Sequence, residues 1–276
     1  MTKVTLTLRK ELRPPTDLSR LVPEELAGKS ISQMGNIPLS RGNRTVKVRD
    51  LFKIVENKGS EENEVVFVGD FRTSRRIGLG MKRGTIRVNG NAGLYVGEGL
   101  DGGTIVVDGN ADSWAGTRMR NGLIEVKGNA GHFVGSSYRG SREGMKGGRI
   151  LIQGDVGDET GSWMNGGLIH VKGSADQFTG IHMKGGTILV EQDCGDRTGA
   201  EMIEGTIVAL GKIGEVLPSF TIYDVRSSVK IGQEKMEGPF YVFEGDVNEE
   251  GHGRIYAHKE RNDHLKGYER FLGGFE

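Results

Sequence analysis

Residues 78–90 read Gly78-Leu79-Gly80-Met81-Lys82-Arg83-Gly84-Thr85-Ile86-Arg87-Val88-Asn89-Gly90, or G-x-x-M-x-x-G-x-I-x-V-x-G. The pattern returns intact from Gly116 to Gly128 and from Gly161 to Gly173. Its central glycine recurs as Gly84, Gly103, Gly122, Gly148, Gly167, Gly186 and Gly205, at steps of 19 residues with a single step of 26. The next slot holds Gly90, Gly109, Gly128, Gly154, Gly173, then Gln192, then Gly211. The first slot holds Gly78, Gly97, Gly116, Gly135, Gly161, Gly180 and Gly199. Fixed-period self-similarity on this scale is the signature of stacked repeats.

Within each unit the period is two. Ile86/Val88, Ile105/Val107, Ile124/Val126, Ile150/Ile152, Ile169/Val171, Ile188/Val190 and Ile207/Ala209 fall on one face of a strand, with the β-branched residues that strands favour. A small slot follows: Ala92, Ala111, Ala130, Val156, Ala175, Cys194, Ile213. Another holds Met81, Leu100, Met119, Met145, Met164, Met183 and Met202. Stacked in parallel, like residues lie about 4.8 Å apart in ladders. One turn buries too few apolar side chains to offset its own ordering entropy, so turns stabilise one another and the ends need caps. The expected fold is all-β: a right-handed parallel β-helix of about seven 19-residue turns over residues 61–215, capped by segments 1–60 and 216–276. The hand follows the usual hand of parallel crossovers.

Composition agrees. The 276 residues include 46 glycines, of which 33 fall between 78 and 214, and no proline lies between Pro38 and Pro218. Lys+Arg and Asp+Glu are both 37, which argues against a nucleic-acid partner or a polybasic membrane anchor. One cysteine, Cys194, excludes an internal disulfide and any cluster or zinc ribbon built by this chain alone. The start, Met1-Thr2-Lys3-Val4-Thr5-Leu6, has no continuous apolar run, and a soluble, cytoplasmic protein is expected.

The tandem motif over about residues 65–214 resembles the C subunit of formylmethanofuran dehydrogenase, a family similar to the glycine-repeat C-terminal domain of the glutamate synthase large subunit. The resemblance implies a non-catalytic, β-helical scaffold with no catalytic, cofactor or metal site of its own. It implies partners: a molybdenum- or tungsten-pterin subunit that reduces CO2, an amidohydrolase-like subunit with a dinuclear metal site that attaches the formyl group to methanofuran, and iron–sulfur subunits. The related formyltransferase/hydrolase complex of methylotrophs implies a similar subunit without CO2 reduction. A stand-alone β-helical enzyme acting on polysaccharide is the alternative of another class. Leu100 in the methionine slot and Gln192 in a glycine slot depart from the pattern.

The remaining motifs read as structure. Gly97-Glu98-Gly99-Leu100-Asp101-Gly102 matches G-x-G-x-x-G, but a repeat strand follows it where a dinucleotide site needs a helix. Cys194 occupies a small inward slot, and the methionine ladder reads as packing. The six histidines show no close pair at ligand spacing, and Asp112, Asp155, Asp158 and Asp176 cluster at corners without a focused set.

Two features point to contact. The 26-residue step places an insertion within Ser136–Gly144, carrying Tyr138, Arg139 and Arg142, residue types enriched in protein interfaces. The outward strand slot Arg87, Val106, Glu125, Leu151, His170, Leu189, Val208 is largely apolar and needs covering by the caps or by a partner. A further slot, Tyr95, Trp114, Phe133, then Glu159, then Phe178, is either another contact line or a packing ladder.

Overall fold

A computed structural model describes residues 1–272. The repeat strands Thr85–Asn89, Asp101–Val107, Asn121–Val126, Arg149–Ile152, Asn165–Val171, Lys184–Val190 and Glu204–Ala209 lie side by side in sequence order within a 13-stranded sheet. Each pairs in parallel with the next, in the register the repeat demands: Ile86 against Ile105, Ile105 against Ile124, and so on through Ile150, Ile169, Ile188 and Ile207. The chain therefore returns to the same place every repeat and stacks on itself. A second ladder of single bridges joins Ala92, Ala111, Ala130, Val156, Ala175, Cys194 and Ile213 in the same order.

The core is the space between these ladders. The isoleucine column and its Val88–Ala209 companion are fully buried, as are all members of the methionine slot, including Leu100. Each such side chain stabilises the stack by roughly 1.5–3 kcal/mol. Glycine is required where the coil turns onto this column. A Cβ on Gly116 would lie 2.3 Å from Ile150 Cδ1, and its φ of +69° is one that L side chains rarely adopt.

Both flanks join the sheet. Thr2–Leu8 pairs in parallel with Glu64–Val68, which pairs in parallel with Thr85–Asn89, so Val4 and Val65 extend the isoleucine column. Phe52–Lys58 closes that edge antiparallel to Thr2–Leu8, its Lys53 and Lys58 exposed, a charged edge that discourages further pairing. Beneath it Phe52, Phe67 and Phe71 pack as an aromatic cluster with centroids 5.4–6.5 Å apart.

At the other end Gly253–His258 pairs in parallel with Glu204–Ala209, placing Ile255 on Ile207. The long hairpin of Thr221–Ile231 and Glu234–Gly245 continues the sheet antiparallel to Gly253–His258. Past the last repeat, buried Asn262 takes the role of a further coil. Its Oδ1 accepts from Ile213 N at 2.8 Å, and its Nδ2 donates to Gly211 O at 3.0 Å and His258 O at 2.8 Å. Backbone groups that would otherwise be orphaned at the end of the stack are thus satisfied.

The outward slot is covered in part by the chain itself. Leu189 and Val208 are buried in a second cluster with Val229, Ile231, Phe240, Val242 and Tyr256 of the C-terminal strands. Val106 and His170 are also buried, while Leu151 stays half-buried.

Candidate functional site

The slot containing the aromatic residues is a corner at which every coil takes left-handed backbone. Tyr95, Trp114, Phe133, Glu159 and Phe178 have φ between +56° and +65°. The same slot extends one repeat each way, to Arg76 at φ +59° and Arg197 at φ +58°. Stacking at the coil repeat places the rings face on face: Tyr95–Trp114 at 5.2 Å and Trp114–Phe133 at 4.7 Å between centroids. Arginine ends the column at both sides. The Arg76 guanidinium lies 5.6 Å from the Tyr95 centroid, and that of Arg197 lies 5.4 Å from the Phe178 centroid. The slot is a packing ladder, and its terminal arginines escape an aromatic pattern because they stack through planarity and charge.

A second left-handed column runs beside it, through Gly80, Gly99, Arg118, Trp163, His182 and Glu201. Trp163 stacks on His182 at 4.2 Å, and His182 Nδ1 lies 3.2 Å from Glu201 Oε2.

The insertion leaves the rod from Ser137 and lies back across both columns. Tyr138 reaches Tyr95, two coils away, at 5.7 Å. There it lies beside Glu98 and Arg76; burial, then the Glu98 carboxylate, pushes its hydroxyl up to about 12. Arg76 bonds Asp17 and Glu98, each at 3.1 Å. Burial works against its charge, but these bonds outweigh it and hold the guanidinium above its usual range. Arg139 lies over Phe133 at 5.5 Å and Arg142 over Trp163 at 5.4 Å. The three residues singled out from sequence are therefore brought together on one corner, although each contacts a different ring. Between loop and corner is an open cavity of about 420 Å³, lined by Phe133, Tyr138, Arg139, Trp163, Phe178 and His182 among others.

The chain is 48% identical over 272 residues to the C subunit of the tungsten-containing formylmethanofuran dehydrogenase 2 of Methanococcus maripaludis, covering 96% of this chain and all of that one. It is 53% identical over 269 residues to the protein of the same name from Methanothermobacter thermautotrophicus, with the same coverage. The chain belongs to the family of formylmethanofuran dehydrogenase C subunits. No family model matches the sequence. Among solved structures, a chain of the formyltransferase/hydrolase complex from Methylorubrum extorquens, in complex with methylofuran, superimposes with a TM-score of 0.83 at 28% identity, over 92% of this chain and 99% of that one.

The other residues singled out from the sequence take structural places. Gly97, Gly99 and Gly102 belong to three different slots of the coil and open no helix. Cys194 is buried, and burial pushes its thiol up to about 12. His170 Nε2 lies 2.7 Å from Glu191 Oε1, and His132 Nδ1 accepts from Asp158 N at 3.0 Å. Asp155 belongs to a ladder that sequence reasoning misses. Asn91, Asn110, Asn129, Asp155 and Asp193 each accept, through Oδ1, the backbone N–H one coil on, at 2.7–3.0 Å. An Asn or Asp one residue past five of the seven second-slot positions, with Ser174 and Lys212 at the other two, is the signal that could have found it. Among the described residues no group of three or more His, Cys, Asp or Glu is placed to hold a metal ion. None of their helices is long and apolar enough to cross a membrane.

Proposed function

We propose that this chain is the scaffold subunit of a formylmethanofuran dehydrogenase, the complex that reduces CO2 and attaches it as a formyl group to methanofuran. The observation that carries the reading is identity of 48–53% along 96% of the chain to proteins named as that subunit. Methionine, isoleucine and small side chains fill the stack's interior. The coils form a right-handed parallel β-helix of about seven turns over residues 61–215, and segments 1–60 and 216–276 act as its caps. The partners are a molybdenum- or tungsten-pterin subunit, an amidohydrolase-like subunit with its dinuclear metal site, and iron–sulfur subunits, in the cytoplasm. Family membership replaces the reading as a stand-alone polysaccharide enzyme.

The second reading is the corresponding subunit of a formyltransferase/hydrolase complex, favoured by the 0.83 TM-score. The lower identity of that likeness, 28%, ranks it behind. Purification of a tagged copy from its native host separates the two. Co-elution with tungsten or molybdenum and a pterin-containing subunit is the expected result. Co-elution with an amidohydrolase-like subunit and neither metal selects the second reading. A lone chain with turnover overturns both.

A further inference from the structure

The corner under the insertion holds cations that no described residue of the chain neutralises. Arg139 sits over Phe133, Arg142 and Lys184 over Trp163 at 5.4 and 4.9 Å, and Arg197 over Phe178. All three rings line the same open cavity of about 420 Å³. Glu143 lies 3.7 Å from Arg118 and 3.5 Å from Lys146, Glu201 pairs with His182, and Glu204, the strand partner of Lys184, forms no ion pair with it. Among the described residues Glu159 is the one carboxylate in the cavity wall, set within the ladder between Phe133 and Phe178. Arg139 shares the cavity wall with Glu159, while Arg142, Lys184 and Arg197 flank it on the rings, and none of the four forms an ion pair among the described residues.

We propose that this corner docks an acidic segment of a partner subunit, whose carboxylates meet Arg139, Arg142, Lys184 and Arg197. The proposal rests on reading the chain as a scaffold subunit and names the chemistry of one of its contacts. A guanidinium laid on a ring still presents its N–H edge outward, where a carboxylate binds it with two parallel hydrogen bonds. Stacking also orders these long side chains before the partner arrives, which lowers the entropy lost on docking. Arginine and tryptophan around a recess are the composition of an energetic centre in an interface.

A basic, aromatic strip also suits single-stranded nucleic acid, which stacks its bases on free rings. Here the rings are already engaged: Trp163 by His182, Arg142 and Lys184, and Phe133 by Trp114 and Arg139. Phe178 carries Arg197, so what remains exposed is chiefly charge, which selects carboxylates.

The test uses the intact complex from the native host. A zero-length carbodiimide joins amines to carboxylates, and Lys184 is the one amine among the four cations. Mass spectrometry is expected to find Lys184 joined to an Asp or Glu of another subunit. The variant R139Q/R142Q/K184Q/R197Q, with an unchanged thermal melt and circular dichroism, is expected to co-purify at least about tenfold less. Its residual association should also depend less on salt than that of the wild type. A folded variant retained at wild-type level, a Lys184 that joins only residues of its own chain, or retention abolished by nuclease overturns the proposal. If the variant does not fold, the Lys184 cross-link in the wild-type complex decides alone. Loss confined to this surface leaves the scaffold reading standing, whereas a wild-type chain that brings down no partner ends both.

Discussion

The inside of the stack and its insertion-bearing corner are built on the same repeat yet treat it in opposite ways. Inside, every coil supplies nearly the same residue: isoleucine on isoleucine, methionine on methionine, all fully buried. At the corner the backbone repeats but the side chain does not, running Arg76, Tyr95, Trp114, Phe133, Glu159, Phe178, Arg197 at nearly one φ. Left-handed backbone costs a non-glycine residue about 1–2 kcal/mol. Ring stacking across coils returns about 0.5–1.5 kcal/mol per pair, so aromatic and guanidinium groups can occupy a conformation usually left to glycine. The interior sets register, because any change there propagates into both neighbouring coils. The corner inherits that register and is free to vary, which is where a scaffold differentiates its contacts.

Interior and corner differ most at the glycines that face inward. Gly116→Ala should cost about 3 kcal/mol or more, or abolish soluble expression, because its Cβ would lie 2.3 Å from Ile150 Cδ1 at a φ of +69°. Gly80→Ala, at a φ of +60° with nothing within 4 Å, should cost only about 1 kcal/mol of backbone strain. Urea unfolding of both variants measures the difference, and equal losses would show that steric contact with the column is not what requires Gly116. Next in size is the methionine column. Met164→Ala should cost about 2–5 kcal/mol through a cavity that two coils share, whereas Leu100→Met, which restores the slot's usual residue at similar volume, should change stability by less than about 1.5 kcal/mol.

The parts legible in the sequence are those under interior constraint. Period two within 19 exposes the isoleucine and methionine columns, because burial on both sides permits few residue types. The strand pairing of Ile86 through Ile207 follows the repeat step by step. The corner is half legible. Its rings are visible as a slot, but Arg76 and Arg197 share no hydrophobicity with them and so escape the pattern. Neither can the path of the insertion be read, because Tyr138 reaching Tyr95 is a long-range contact that no local pattern encodes. Likewise the apolar outward slot announces a need for cover without saying what meets it. The answer for Leu189 and Val208 lies in the hairpin of Thr221–Ile231 and Glu234–Gly245, strands without the repeat's period.

At the corner itself smaller effects are expected. Trp114→Ala removes two stacked neighbours, Tyr95 and Phe133, while keeping the left-handed strain, and should cost about 1–2 kcal/mol. Trp114→Gly loses the same stacking but relieves the φ of +65°, and should be less damaging than alanine by a few tenths to about 1 kcal/mol. Thermal melts of the pair check the order. A glycine variant that melts below the alanine one would mean that the left-handed backbone at Trp114 carries no strain for glycine to relieve.

The smallest effect returns to the interior, at the one slot member that titrates. Cys194 sits between Ala175 and Ile213 in its ladder, and burial raises its thiol from 9.0 to about 12. A thiol is neutral when protonated, so the folded chain holds its proton to higher pH than the unfolded chain does. The associated stability is fully present below pH 9 and declines as pH rises from 9 towards 12, by about 1.4 kcal/mol for each unit. Comparing urea unfolding of wild type and Cys194→Ala at pH 8 and pH 10 should therefore show a pH-dependent gap of about 1 kcal/mol, with wild type losing more. The same burial predicts no maleimide labelling of the native chain at pH 8 and full labelling in denaturant. A wild type and variant that decline in parallel, together with rapid native labelling, would mean that this coil opens in solution, and the interior would then be as adaptable as the corner.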